Sequence, residues 1–175
     1  MQVKSVFISD VHLGTKSCKA KRLHDFLSSI EAENLYLVGD IIDGWALKRH
    51  HYWTKGQTEV LRKILKLSEK MNVYFLPGNH DEFVRPFFKF DFQIGDIQVL
   101  DSVDYDAIDG RRIFVSHGDK FDLTMKIPRQ VINFFAHFHD GSMSDKMYKL
   151  LGTEKVIKKY ISKKGYDCAI TGHTH

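Results

Sequence analysis

Apolar residues recur in two rhythms along this chain. Short continuous runs at 3–9, 35–38 and 73–76 are bounded by turn-forming residues and read as buried strands. Between them, Leu23, Phe26, Leu27 and Ile30 fall at helical spacing, and so do Val60, Leu61, Ile64, Leu65 and Ser68; helices are predicted over 20–32 and about 54–70. Strand, helix, strand, helix, strand in that order builds parallel β-α-β units, so all three strands deliver their ends to one edge of a sheet. The expected class is α/β, a β-sheet core flanked by helices.

Further along, Phe83, Phe87, Phe88, Phe90 and Phe92 crowd residues 82–92 at a density typical of packing. Strands are predicted at 97–100, 105–108 and 112–116, the last two joined by the hairpin signal Asp109-Gly110. Residues 123–164 return to helical spacing, with Val131, Phe134, Phe135 and Phe138, then Met147, Leu150 and Leu151, then Val156, Ile157, Tyr160 and Ile161. A closing strand is expected at 167–171. Residues 45–53, basic and aromatic, are read as a loop that either binds phosphate and stacks on a base or is simply solvated.

Composition narrows the class without choosing a function. A chain of 175 residues, 43% hydrophobic and 27% charged, suits one domain with a sizeable core. Its net charge of +4 permits an anionic partner without demanding one. No apolar segment approaches a membrane span and Met1-Gln2-Val3-Lys4 leads straight into a strand, so a cytosolic protein is expected. Residues 123–164 carry nine basic against three acidic side chains, a local excess larger than that of the whole chain. Such basic helices either rest on an anionic bilayer or present a solvated face while packing on the core. Cys18 and Cys168 are too few and too far apart for a disulfide framework or thiolate site, whereas ten His favour nitrogen and oxygen ligands.

Chemistry gathers where strands end. Asp10 and His12 follow the first, Gly39-Asp40 the second, Gly78-Asn79-His80-Asp81 the third, His117-Gly118-Asp119 the returning strand, and Gly172-His173-Thr174-His175 the last. In an extended backbone the alternation in Asp10-Val11-His12 and in His173-Thr174-His175 would put each pair on one side. Seven oxygen and nitrogen donors exceed one tetrahedral site and suit two ions bridged by one carboxylate. Asp10, His12, Asp40 and His175 are assigned to one ion, and Asp40, Asn79, His117 and His173 to the other. Two ions about 3.5 to 4 Å apart can activate a water and brace a phosphoryl group. His80 is the candidate general acid, with Asp81 orienting its ring, while Trp45, Lys48, Arg49 and Arg85 are candidate substrate contacts.

Asp10-x-His12, Gly39-Asp40-x-x-Asp43, Gly78-Asn79-His80-Asp81, His117-Gly118-Asp119 and Gly172-His173-x-His175 together resemble the ordered motif set of calcineurin-like metallophosphoesterases. That resemblance implies a metallophosphoesterase-like core, a two-sheet sandwich, covering 1–175 as one domain with a helical insertion at about 123–164. The runs Gly39-Asp40-Ile41-Ile42-Asp43-Gly44-Trp45, Asn79-His80-Asp81-Glu82-Phe83 and His117-Gly118-Asp119-Lys120-Phe121-Asp122 are similar to the UDP-2,3-diacylglucosamine pyrophosphohydrolase group of lipid A biosynthesis. This implies two divalent ions, Mn2+ first and Fe or Zn as alternatives. It also implies a lipid-linked nucleotide substrate cut to UMP and a lipid phosphate, with peripheral contact at the cytoplasmic face of the inner membrane and no nucleic-acid partner. A soluble phosphodiesterase, nucleotidase or nuclease is the competing enzyme, and a binding scaffold that kept the fold the non-enzyme alternative. A metal motif at the last residues suggests that the natural protein continues beyond His175.

Overall fold

A computed structural model describes residues 2–90, 93–122 and 152–173. They fall into two compact units, the first drawn from residues up to 103 together with 115–117 and 171–173, the second from 104–114 and the described residues within 118–170.

The first unit is built on β1 (Gln2–Ile8), α1 (Ala20–Ser29), β2 (Glu31–Val38), α2 (Gly44–His50), α3 (Lys55–Ser68), β3 (Asn72–Leu76), a 3-10 helix (Glu82–Phe90), β4 (Gln93–Ile94) and β5 (Ile97–Val99). The strands form one sheet in the order β1-β2-β3-β5-β4, parallel except for β4. Register runs Ile8 to Leu37 and Val38 to Leu76, so β1, β2 and β3 end level with one another. On one face Leu35, Leu37, Val73 and Phe75 pack with Leu27 and Ile30 of the α1 segment and Val60, Ile64 and Leu67 of α3. On the same strands Phe7, Tyr36 and Tyr74 stack ring on ring, with centroids 4.7 and 4.8 Å apart.

Local signals set the helix ends. Thr54 accepts from the Gln57 N–H while the Gln57 side chain accepts from the Thr54 N–H, a capping box that starts α3 where the apolar stripe begins. The same Gln57, almost wholly buried, donates to the Thr15 carbonyl at 2.9 Å and ties down the loop after β1.

Two expectations need correction. Helix α1 stops at Ser29 rather than 32, because Ile30 turns extended to enter the core and Glu31 already pairs with Gln2 of β1. Residues 45–53 are not all loop: Gly44–His50 is helical, since the Asp43 side chain accepts from the Ala46 N–H at 2.7 Å and Lys48, Arg49 and His50 complement the dipole of the last turn.

The second unit carries most of a three-stranded sheet, β6 (Val103–Asp106), β7 (Arg112–Val115) and β8 (Cys168–Ile170), in the order β6-β7-β8. The predicted turn between β6 and β7 is present, with the Ala107 N–H donating to the Arg111 carbonyl at 2.9 Å and Gly110 at φ +84°. Helix α4 (Thr153–Lys164) sets Tyr160 against Phe114 and Phe121, with centroids 5.0 Å apart in both pairs. The helices expected around Val131–Phe138 and Met147–Leu151 lie outside the described residues. Among the described residues no helix is long and apolar enough to cross a membrane.

Leu35 is fully buried between α1, α3 and the neighbouring strands. Leu35→Ala is expected to lower stability by about 2–5 kcal/mol, read as a lower urea midpoint with an unchanged m-value.

Candidate metal centre

Four backbone hydrogen bonds zip the loop after β1 to the loop after β2. The N–H groups of Asp10, His12 and Leu13 donate to the carbonyls of Gly39, Asp40 and Ile41 at 3.0, 2.8 and 2.9 Å, and Asp43 returns one to Leu13 at 2.7 Å. The two loops therefore place their side chains as one body. Their backbone is not extended: Asp10, His12 and Asp40 lie at φ +55°, +51° and +54°, and His173 at +73°. Left-handed conformation, not strand alternation, aims these side chains, which replaces the alternation expected of Asp10-Val11-His12. Only one other non-glycine among the described residues, His51, shares it. Such residues cost of order 1–3 kcal/mol each and persist where the surroundings hold them.

Asp40 lies at the centre, 2% exposed. From its Oδ2, the Nε2 atoms of His117, His80 and His12 are 3.2, 3.9 and 4.0 Å away. Its Oδ1 accepts from the His80 N–H at 2.9 Å. Candidate donor atoms form two clusters that share this carboxylate, His12–Asp40–His80 and Asp40–His117–His173, each spanning no more than 4.8 Å. Asp10 accepts from the His173 N–H at 3.2 Å, linking the first loop to the last motif. Asn79 is buried between two residues that are themselves tied down, Gly78 on Asp81 and His80 on Asp40. The expected ligand His175 lies outside the described residues.

The donors fit a cation. His117 is anchored through Nδ1 on the Val38 carbonyl at 3.0 Å, so Nε2 is directed at Asp40. The Asn79 Oδ1 is buried without a hydrogen-bond partner. Burial opposes charge on both Asp40 and His117, yet each outweighs that penalty for the other. The His117 and His80 groups hold the Asp40 carboxyl below its usual range, and Asp40 with the Val38 carbonyl raises His117. A buried carboxylate ringed by imidazoles beside an orphaned amide oxygen is a donor set that suits a divalent ion. Glycine keeps it open: a Cβ on Gly78 would run into Asp40 Oδ1 and the His117 ring.

Two roles differ from expectation. Asp81 does not orient His80. It is fully buried and accepts backbone N–H groups from Gly78 at 2.5 Å, Ile41 at 2.8 Å, and Asp40 and Ile42 at 3.3 Å, clamping the loop after β3 to the loop after β2. Burial raises its carboxyl, against the pull of those N–H groups. The residue at the imidazoles is Asp43, passed over as a site residue in sequence reasoning. Its Oδ2 meets His12 Nδ1 at 3.1 Å and its Oδ1 lies 3.0 Å from His80 Nδ1, leaving both Nε2 atoms facing Asp40. Burial lifts its carboxyl, but the two rings and the Ala46 N–H bring it below the usual range. Its place in Gly39-Asp40-x-x-Asp43 was the available signal.

Among the substrate candidates, Trp45 packs on the His80 ring at 4.2 Å and remains 38% exposed. Lys48 and Arg49 are exposed on the last turn of α2. Arg85 donates to the Pro77 carbonyl at 2.9 Å, a brace for the turn that carries Asn79.

The sequence profile of calcineurin-like phosphoesterases matches residues 3–175. The chain belongs to that family. The chemistry of that family is metal-dependent hydrolysis of phosphate esters at a dinuclear centre, and two candidate donor clusters here share Asp40. A curated relative, UDP-2,3-diacylglucosamine hydrolase of Histophilus somni (strain 129Pt), is 28% identical over 66% of this chain and 49% of its own. The chain thus spans about half the length of that relative. The crystal structure of Pseudomonas putida nuclease MPE is similar at a TM-score of 0.33 and 21% identity, over 56% of this chain and 48% of that one.

Asp81→Ala strips an acceptor from four N–H groups and is expected to destabilise by about 3 kcal/mol or more. Asp43→Asn retains a side-chain acceptor for the cap, so its unfolding midpoint should stay near the parent while turnover falls about 10–100-fold. Urea unfolding and steady-state kinetics on both variants check the division of labour.

Proposed function

We propose that this phosphoesterase hydrolyses phosphorus centres carrying two bridging oxygens, with Asp10, His12, Asp40 and His175 holding one divalent ion and Asp40, Asn79, His117 and His173 the other. The observation that carries the reading is the position of Asp40, one buried carboxylate common to both donor clusters. When bound, the ions would supply water of lowered pKa and positive charge against the phosphoryl oxygens. The chain's own residues hold and aim: Asp43 fixes the His12 and His80 rings, Asp81 fixes the loops, and His80 hands a proton to the departing group. Mn2+ is the proposed ion, although this donor mixture also accepts iron and zinc.

The proposed substrate is UDP-2,3-diacylglucosamine, cut to UMP and lipid X in lipid A biosynthesis. Support comes from the motif resemblance and from the relative of that name. On this reading residues 1–175 work as one domain with an insertion at 123–164, and the lysines of α4 favour peripheral contact with an anionic membrane.

One observation favours a second reading, a phosphodiesterase with an alcohol leaving group. An imidazole beside the shared carboxylate is of most use where the leaving oxygen is strongly basic. A phosphate monoester leaves with a second pKa of about 6 and needs little help.

Asp40→Asn is expected to lose most metal by elemental analysis and most activity, whereas His80→Ala keeps its metal. Turnover of UDP-2,3-diacylglucosamine, bis(p-nitrophenyl) phosphate, cyclic nucleotides and single-stranded DNA then separates the readings. Hydrolysis of all but the lipid nucleotide, with His80→Ala slowing alkoxide release most, would establish the second.

A further inference from the structure

Beside the candidate centre lies a cavity of about 340 Å³ whose lining includes Asp10, His12, Ser17, Cys18, Lys19 and Arg22. Lys19, the N-cap of α1, and Arg22, in its first turn, both belong to this lining. Both are exposed, neither has an ion-pair partner among the described residues, and the first turn of α1 contains no acidic residue. The one carboxylate on the lining, Asp10, is engaged by the His173 N–H and is a candidate metal ligand. Two cations thus line a space whose wall also includes the candidate ligands Asp10 and His12, and among the described residues neither is paired with an anion.

We propose that this cavity is a subsite for a second phosphate of the substrate, next to the one being cleaved, and that Lys19 and Arg22 are its specificity-determining residues. The assignment rests on the proposed phosphohydrolase reading and deepens it. Uncleaved phosphates stay anionic throughout the reaction, so their contacts act on binding more than on the chemical step. Arg22 offers a planar fork matched to phosphate oxygens, and Lys19 a compact charge. In a nucleotide sugar the second phosphate is the other half of the pyrophosphate; in a nucleic acid it is the neighbouring backbone phosphate.

The metal-loaded protein and its Lys19→Ala/Arg22→Ala variant would be assayed on four substrates. Bis(p-nitrophenyl) phosphate and thymidine 5'-(p-nitrophenyl phosphate) carry one phosphorus. The 3'-phosphorylated form of the second compound and UDP-2,3-diacylglucosamine carry two. The variant should act on the one-phosphorus compounds within about twofold of the parent, while KM for a two-phosphorus substrate rises about tenfold or more and kcat changes little. Which two-phosphorus substrate shows the effect identifies the source of the phosphate, and Lys19→Arg/Arg22→Lys should restore most of it. Equal losses on every substrate, or no loss on any, would overturn the proposal.

Cys18 supplies a readout independent of turnover. In a Cys168→Ser background at mildly alkaline pH, inorganic pyrophosphate should slow alkylation of Cys18 in the parent but not in the Lys19→Ala/Arg22→Ala variant. Identical protection in both, or none in either, counts against the subsite. Protection confined to the parent in a protein that cleaves none of the four substrates would retain the subsite and discard the phosphohydrolase reading.

Discussion

A carboxylate removed from water must be compensated, and Asp40 is compensated from three directions at once. Imidazole nitrogens of His117, His80 and His12 approach one of its oxygens within 4.0 Å, and a backbone N–H holds the other. None of the rings moves freely. His117 is fixed by the Val38 carbonyl, and the other two by Asp43. Nitrogen and oxygen donors gathered around a buried negative charge suit a cation and disfavour an empty hydrophobic collapse. The surrounding fold can be understood as the means of holding that arrangement without relaxation.

That holding is visible in the backbone. Parallel strands of matched register finish at one level, so the loops after β1 and β2 can bond to each other directly. The loop after β3 is joined to them by Asp81, whose single side chain satisfies four N–H groups. Over-determined in this way, Asp10, His12, Asp40 and His173 tolerate left-handed backbone that an unsupported loop would abandon. Strain at the site is balanced by hydrogen bonds a few residues away and by the core of Leu35, Leu37 and Phe75 beneath.

Much of this was legible from residues alone, for physical reasons that also mark the limits. The parallel strands and their common edge followed from alternating apolar rhythms, because burial on both faces leaves an unbroken run such as Leu35 to Val38. Position after a strand then located Asp10, Asp40, Asn79 and His117. Side-chain direction did not follow, since φ depends on contacts between loops far apart in sequence. For the same reason the role expected of Asp81 fell to Asp43: both are motif acids, and only the folded loops decide which one meets the ring. Helix α2 was missed although Asp43-Gly44-Trp45-Ala46 carries a cap signal, because the run of basic residues that follows lacks an apolar stripe.

His80 is where geometry bears on substrate. Its Nε2 falls in a donor cluster with His12 and Asp40, so the same lone pair could bind an ion or carry a proton, but not both at once. A ring serving as ligand leaves the departing oxygen unassisted, which a phosphate leaving group tolerates and an alkoxide does not. A ring kept for proton transfer requires that the first ion find its donors elsewhere, from Asp10 and from the last motif. Contact with Trp45 at 4.2 Å and with Asp43 through Nδ1 holds the ring at the rim of the cluster. The ring is 23% exposed there, beside a side chain open to solvent, and a group that must meet a leaving atom needs that access. That access is what the proposed role of His80 in proton transfer calls for, although His12, 20% exposed, shares it as a proposed ligand.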